Sequence, residues 1–193
     1  MYFKAIYPNA TILAFEPDKD AFVCLEENIK ANQLDNIQIR KMVLSNREDT
    51  LYLYYDTEEP GSLLMSTIRE RLPKKKQAVE GALLSNFIER DVDFLKMDVE
   101  GSEQGILEDL SRSGKLARIK NMAIEYHHHI VPDKDTLSRM LHLLEGAGFG
   151  YQIESRLGRP LTRRQFQDIF IYAYRRDTTP KGLPDPPKRA AAL

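Results

Sequence analysis

The sequence predicts an α/β domain built around a largely parallel β-sheet. Three observations lead to this prediction: short apolar runs typical of buried strands, helical stripes between them, and polar or glycine residues where one element ends. Because strands alternate with helices along the chain, we expect one sheet with helices on both of its faces. Such sheets bind ligands outside the carboxyl ends of their strands, so functional residues are expected there.

The amino-terminal half contains one strand–helix unit and two further strand candidates. Residues 11–15 form an apolar run that ends at Glu16, and apolar residues follow at the spacing of one helix face: Phe22, Leu25 and Ile29. Residues 37–44 alternate as a half-buried strand does, and residues 51–55 are rich in β-forming side chains. Residues 56–81 contain glycine, proline and three consecutive lysines, which together predict a solvated loop.

The carboxyl-terminal half repeats the alternation. Residues 92–99 predict a buried strand, and Ser102 is placed to cap the next helix, whose apolar face carries Ile106, Leu107 and Leu110. Residues 120–126 predict another strand, followed by a helix that ends at two glycines and has an apolar stripe of Leu137, Met140, Leu141 and Leu144. Two more strands, residues 151–154 and 169–174, complete the predicted domain.

The composition argues against several classes of function. The 193 residues carry a formal net charge of -1, so nucleic acid is not an expected partner. No apolar run approaches the roughly 20 residues of a membrane span, and so we expect no membrane association. The single cysteine, Cys24, excludes an internal disulfide framework and is expected to be a small buried hydrophobe beside the first helical stripe. We predict a cytoplasmic protein with one domain over residues 1–176 and a disordered tail over residues 177–193.

Glu16 is the first candidate binding residue, because it directly follows a predicted parallel strand. An acidic side chain at this place can accept hydrogen bonds from both hydroxyls of a ribose. The alternative is a solvated carboxylate that is favoured by the dipole of the next helix.

A second group of acidic residues surrounds one predicted strand-to-helix turn, where Asp98, Glu100 and Glu103 lie within six residues. Asp98 and Glu100 point the same way if the chain is extended, and Asp98 ends a buried run where an unpartnered carboxylate would be costly. Glu103 is better explained as a carboxylate that complements the positive end of the helix.

Glu125 and His127 lie on one side of the following strand. If the two strands are neighbours, roughly 5 Å apart, these side chains converge with Asp98 and Glu100 at one pocket mouth. Such a group can supply a general base, and the predicted catalytic residues are Asp98, Glu100 and His127.

The three consecutive histidines, residues 127–129, resemble a metal site only superficially. Successive residues on a strand point to opposite sides and cannot all reach one ion. We predict no metal, with a weakly held Mg²⁺ on the carboxylates as the alternative, and we expect His128 and His129 in an exposed loop.

These landmarks together resemble the FkbM-type S-adenosylmethionine-dependent methyltransferases over residues 7–175. The resemblance depends on the order and spacing of linked motifs, of which Asp-Val-Glu-Gly-Ser-Glu over residues 98–103 is the most characteristic. The other motifs are Tyr-Pro-Asn-Ala at 7–10, Ala-Phe-Glu-Pro-Asp at 14–18, Asn-Ile at 28–29, Asn-Gln-Leu at 32–34, Val-Leu-Ser at 43–45 and Ile-Glu-Tyr-His at 124–127.

The resemblance implies a Rossmann-like class I methyltransferase sheet, mostly parallel with an antiparallel last strand, and S-adenosylmethionine as the cofactor. It implies that Glu16 binds the cofactor ribose, that Val43 and Leu44 lie beside the adenine, and that Asp98 lies near the methionine end. It also implies methyl transfer to a hydroxyl of a sugar or secondary metabolite, and therefore a small-molecule or glycan substrate. Whether the chain forms a homo-oligomer is left open.

The sequence departs from the family pattern in two places. Ser85 and Asn86 stand where many relatives have an acidic pair. The family's first strand and glycine-rich loop are also absent, because Met1 falls in the helix that should follow them. We therefore expect an amino-terminally truncated domain, and the alternative function is a non-catalytic remnant or binding module, inactive without the missing segment. A nicotinamide-dependent dehydrogenase is disfavoured because residues 98–103 have no role in that chemistry.

Overall fold

The computed structural model describes residues 2–55, 65–72, 75–131, 136–156 and 166–176. Its helices are α1 (Tyr2–Ile6), α2 (Lys19–Ala31), α3 (Glu103–Arg112) and α4 (Leu137–Gly146), with short 3₁₀ turns at Leu84–Phe87 and Lys115–Arg118. Its strands are β1 (Ile12–Phe15), β2 (Ile37–Arg40), β3 (Val43–Ser45), β4 (Thr50–Tyr55), β5 (Lys75–Leu83), β6 (Val92–Met97), β7 (Ile119–His128), β8 (Phe149–Ser155) and β9 (Gln167–Arg175).

The largest sheet has the strand order β6-β7-β9-β8. Strand β6 is parallel to β7, whereas β9 is antiparallel to both β7 and β8. Strands β6, β7 and β8 therefore run in one direction and only the last strand opposes them, which confirms the predicted fold class. The expectation of one sheet is wrong, because the described strands form three sheets. Two smaller sheets accompany it: β1 is parallel to β2, and β5 lies between β3, to which it is parallel, and β4, to which it is antiparallel.

The main core lies between the large sheet and the helices α3 and α4. The predicted stripe of α3 is confirmed, because Ile106, Leu107 and Leu110 are completely buried. In α4 only Met140 and Leu144 of the predicted stripe are completely buried, and the other two leucines are half-buried. Each fully buried aliphatic side chain contributes roughly 1.5–3 kcal/mol, so this layer supplies much of the stability of the fold.

Within the described part of the chain, β1 pairs only with β2 and β6 pairs only with β7. Each of these two strands therefore keeps one edge on which its backbone donors and acceptors have no strand partner. Leu13 in β1 and Phe94 in β6 remain 37% and 39% exposed, respectively, although both lie in the middle of a strand. The Phe94 ring does contact α1, where the Phe3 ring lies 5.4 Å away.

Strand β5 shows that the predicted loop over residues 56–81 was too long. From Lys75 onward the chain pairs with β4, and its side chains alternate between half-buried and exposed positions. The lysines obscured this alternation in the sequence, yet Lys76 is accommodated because its Nζ lies 4.1 Å above the Tyr52 ring. Gly61, Pro73 and Lys74 lie outside the described residues, as does the predicted tail over residues 177–193.

Two smaller predictions are wrong. Cys24 is exposed, because α2 contacts the rest of the protein so lightly that none of its residues is fully buried. Ser102 occupies the N-cap position of α3 but makes no capping hydrogen bond. None of the described helices is long and apolar enough to cross a membrane.

Replacing Leu110 with alanine should lower the free energy of unfolding by about 2–5 kcal/mol, because the truncation leaves a cavity in a closed layer. Urea unfolding followed by circular dichroism measures this loss. Val23→Ala on the exposed side of α2, where Val23 is 42% exposed, is the control and should change the free energy by less than about 0.5 kcal/mol. Equal losses for the two variants would contradict the placement of the core.

Candidate active site

The candidate site is built on the tight turn between β6 and α3. Glu100 and Gly101 both have positive φ, at 54° and 111°, which turns the chain sharply at the carboxyl end of β6. A side chain at position 101 would also collide with its surroundings, since a Cβ there would lie 2.5 Å from Ile68 and 2.7 Å from Ile130. Glycine is required at this position for both conformation and space.

Residues 65–72, which we name the covering segment, lie against this turn. Ser66 is buried, and its hydroxyl donates to the backbone carbonyl of Glu100 at 2.6 Å. The Thr67 hydroxyl lies 2.8 Å from the Ser102 hydroxyl, which explains why Ser102 does not cap its helix. Backbone hydrogen bonds between Ser66 and Tyr54 anchor the segment to β4. The covering segment therefore helps to hold Glu100 in its left-handed conformation.

His127, near the end of β7, forms a buried pair with Glu103 at the start of α3. Its Nδ1 lies 2.6 Å from Glu103 Oε1, and the Glu103 side chain is only 1% exposed. The same oxygen accepts the backbone N–H of Gly101 at 2.9 Å, so it acts as an acceptor and Nδ1 carries the hydrogen. Glu103 thus does more than complement the helix terminus, because it orients the imidazole and fixes its tautomer.

The other ring nitrogen of His127 faces two carboxylates. Nε2 lies 3.1 Å from Glu100 Oε2 and 3.9 Å from Asp98 Oδ1. The structure therefore brings together Asp98, Glu100 and His127, as the sequence predicted, and Glu103 is the fourth member. Glu125 is close by, since its carboxylate lies within 4.8 Å of the ligand atoms of Asp98 and His127.

The charges in this group shift the proton affinities of its members. Burial lowers the pKa of His127, but the hydrogen bond and charge of Glu103, together with the charge of Glu100, outweigh burial and leave this pKa raised. Burial raises the pKa of Glu100, although the neighbouring His127 and Arg71 oppose this effect. Burial and the charge of Asp98 likewise raise the pKa of Glu125.

Arg71, in the covering segment, also belongs to the site, although no sequence pattern pointed to it. Its Nη2 lies 2.5 Å from Glu100 Oε2, and its side chain is 13% exposed. Its guanidinium carbon lies 4.5 Å above the Phe166 ring, which in turn stacks 6.2 Å from the His127 ring. Arg71 and Phe166 were missed because no motif marks them, and only the tertiary fold brings them beside the turn.

Glu16 follows β1 as predicted and is half-buried. Its Oε1 accepts the backbone N–H of Asp18 at 2.9 Å, and burial raises its pKa. Among the contacts of the described residues, no hydrogen bond or ion pair joins Glu16 to the group around His127. Val43 and Leu44 are buried in two different apolar clusters, Val43 with Leu51 and Leu44 in the main core, so their roles beside an adenine remain predictions.

Two other predicted features can be placed. The ligand atoms of Asp98, Glu125 and His127 lie within 4.8 Å of one another, which is close enough to suit a cation, and the absence of a metal stays a prediction. His128 is the last residue of β7 rather than part of a loop, and its ring stacks 3.7 Å from that of His129. Both side chains are half-buried, so the expectation that they are exposed is wrong.

Ser85, which stands where the family resemblance implies an acidic residue, has a structural role. Ser85 is buried, and both its backbone N–H and its hydroxyl donate to the carboxylate of Asp109 in α3, at 3.1 and 3.0 Å. This position therefore helps to attach α3 to the sheet layer.

A partly parallel sheet with acidic and histidine side chains at its strand ends defines an α/β domain with a candidate ligand site at that edge of the sheet. Residues 2–151 match the methyltransferase FkbM domain, and the chain belongs to this family. The chain is 26% identical over 175 residues to Methyltransferase 1 of Beauveria bassiana (strain ARSEF 2860). This match covers 80% of this chain and 68% of that protein.

The solved methyltransferase FkbM from Methylobacillus flagellatus KT has the same fold, with a TM-score of 0.53 and 19% identity. The match covers 89% of this chain but 39% of the solved protein, so this chain corresponds to well under half of that relative.

Replacing Glu103 with glutamine should lower the His127 pKa and cost roughly 1.5–3 kcal/mol of stability, the usual value of a hydrogen bond to a charged group. The folded-state pKa of His127 is raised, so its stabilising contribution is complete below about pH 6.5 and is lost as pH rises through the raised value. The difference from the wild type should therefore shrink at higher pH.

Urea unfolding at a series of pH values measures this difference, with the exposed Glu27→Gln as the control. A loss that stays constant across the titration of His127 would contradict the buried charged pair.

Proposed function

We propose that this domain transfers the methyl group of S-adenosylmethionine to a hydroxyl, with His127 as the general base. The observation that carries the proposal is the orientation of His127, whose Nδ1 is held by buried Glu103 while Nε2 faces the carboxylates of Glu100 at 3.1 Å and Asp98 at 3.9 Å. Bound S-adenosylmethionine would supply a methyl group on a positively charged sulfonium. The carboxylates of Asp98, Glu100 and Glu125 suit such a cation.

The residues of this chain would act on the acceptor as follows. With the donor bound, the acceptor hydroxyl oxygen would form a bond to the methyl carbon as the carbon–sulfur bond broke, and Nε2 of His127 would take the proton of that hydroxyl. Glu103 stabilises the imidazolium that results, because its carboxylate lies on Nδ1. Asp98, at 3.9 Å from Nε2, would help to position the donor and acceptor near this nitrogen.

The cofactor end of the site is proposed from Glu16, Val43 and Leu44. Glu16 is half-buried after a parallel strand and uses Oε1 for its own turn; its Oε2 accepts no hydrogen bond from the described residues. A carboxylate in this situation suits a ribose diol. Val43 and Leu44 at the start of β3 are proposed to lie beside the adenine because of the family resemblance, and their side chains are buried in two apolar clusters.

A groove beside the catalytic group supports a small acceptor, such as a sugar or secondary metabolite. Its volume is about 410 Å³, and Glu125 and Lys96 are among its lining residues, with Phe170 on the opposite strand. Small-molecule sites commonly have volumes of roughly 300–1,000 Å³. We further propose that the protein works in the cytoplasm, because its single cysteine gives it no disulfide to maintain.

Replacing His127 with asparagine should reduce methyl transfer roughly 10²–10⁴-fold, the usual contribution of a general base. Transfer of labelled methyl from S-adenosylmethionine to a panel of hydroxylated acceptors measures the rate, and Asp98→Ala should also lower it. His142→Asn, on the exposed surface of α4, is the matched control. Undiminished transfer by the His127 or Asp98 variant would remove that residue from the mechanism.

Replacing Glu16 with glutamine should weaken S-adenosylmethionine binding by about tenfold or more, because a charged acceptor of the ribose hydroxyls is lost. Isothermal titration calorimetry measures the affinity, with the exposed Asp20→Asn as the control. Equal affinities for wild type and Glu16→Gln would place the ribose elsewhere.

A non-catalytic binding module is the second candidate, and it is favoured by the edges of β1 and β6 that have no strand partner among the described residues. Either edge offers backbone groups to a strand from a partner, which is a common mode of recognition. The same calorimetry separates the two functions. One-to-one binding of S-adenosylmethionine by this chain supports the enzyme, whereas failure to bind supports the binding module.

A further inference from the structure

One oxygen of Glu100 lies between two groups that compete for it. Oε2 is 2.5 Å from Arg71 Nη2 and 3.1 Å from His127 Nε2; the atom is buried, and because neither contact has the geometry of a hydrogen bond, both are ion pairs. Arginine remains charged at every physiological pH, whereas histidine attracts a carboxylate strongly only when it is protonated. The shorter distance is the one to Arg71, so the carboxylate is held mainly from the side of the covering segment.

Arg71 owes its position to contacts that do not involve His127. The covering segment is tied to the β6–α3 turn through Ser66 and Thr67, and the guanidinium lies over the Phe166 ring. A cation over an aromatic ring gains about 0.5–2 kcal/mol, more when it is desolvated. Arg71 is therefore fixed before any ligand enters the site.

The placement of Glu100 decides what His127 can do. An imidazole with a carboxylate on each nitrogen is held as an imidazolium, which has no lone pair to accept a proton. With Nδ1 on Glu103 and Nε2 open, the same ring can take a proton from an acceptor hydroxyl. A carboxylate that is drawn towards Arg71 leaves Nε2 more open than one that is free to close on the histidine.

We propose that Arg71 is a positioning residue, which draws the Glu100 carboxylate towards the covering segment and so weakens its contact with Nε2, with the result that His127 can act as a base. This inference rests on the role proposed above for His127. In this role of Arg71, the covering segment contributes to the chemistry of the site in addition to covering the β6–α3 turn.

Charged groups face His127 from every element packed around it. Glu103 belongs to α3, Asp98 and Glu100 follow β6, and Asp168 lies opposite His127 in the register of β9. On its own strand the nearest charge is that of Glu125, and Lys96 pairs with Asp98 at 3.2 Å. Arg71, in the covering segment, opposes protonation of His127, whereas Glu103 and Glu100 favour it.

The test is the titration of the His127 ring by NMR, with the signal assigned by comparison with His127→Gln. Arg71→Gln should raise the His127 pKa by about one unit, a tenfold gain in proton affinity, because Glu100 is released onto Nε2. Arg71→Lys, which keeps the charge, should restore most of the wild-type value. Arg69→Gln, at an exposed position of the covering segment, is the matched control.

A double-mutant cycle separates positioning from the direct repulsion between Arg71 and the imidazolium. If Arg71 acts through Glu100, the effect of Arg71→Gln should become much smaller in a Glu100→Gln background. An equal effect in both backgrounds would overturn the proposal, as would an unchanged His127 pKa in Arg71→Gln. If the glutamine variant of Arg71 fails to fold, Glu100→Gln alone decides, because an unchanged His127 pKa in that variant excludes Glu100 as the mediator.

This titration needs no methyl transfer, so it is independent of the activity assay. In an active protein, Arg71→Gln should also move the acidic limb of the kcat–pH profile to higher pH. Activity that persists in His127→Asn would refute the proposed function, whereas the NMR cycle alone decides whether Arg71 positions Glu100.

Discussion

The buried hydrogen bond between His127 Nδ1 and Glu103 Oε1 connects the sheet of this protein to its chemistry. A buried carboxylate is stable only with donors, and Glu103 obtains them from the imidazole and from the backbone of Gly101. The end of β7, the start of α3 and the turn between β6 and α3 are thereby held in one arrangement. Removing the Glu103 carboxylate or the His127 imidazole would leave the other group buried without its partner.

This arrangement explains the order of the residues in the Asp-Val-Glu-Gly-Ser-Glu segment, residues 98–103. Asp98 ends the strand, Glu100 and Gly101 make the left-handed turn, and Glu103 then begins the helix beneath His127. Position 101 tolerates no side chain, because the covering segment and residue 130 fill the space around it. The motif is thus a structural device that also places three carboxylates around one imidazole.

Membership of the FkbM methyltransferase family agrees with both the fold and the placement of the acidic residues. The solved relative shares the fold at a sequence identity too low to transfer a substrate, and this chain matches 39% of its length. Among the strands that the structure describes, β1 and β6 each have one edge without a partner, which is compatible with the addition of a further strand. The groove beside Glu125 and the pairing of Arg71 with Glu100 are features of this chain itself.

The sequence by itself determined the α/β class, the apolar face of α3 and the convergence of Asp98, Glu100 and His127. These features follow from local periodicity and from the rule that parallel strands end at the same edge of a sheet. Only the tertiary structure decided the pairing of β5 with β4, the partner of Glu103 and the entry of Arg71 into the site. Such contacts join residues that are distant along the chain, and no local pattern encodes them.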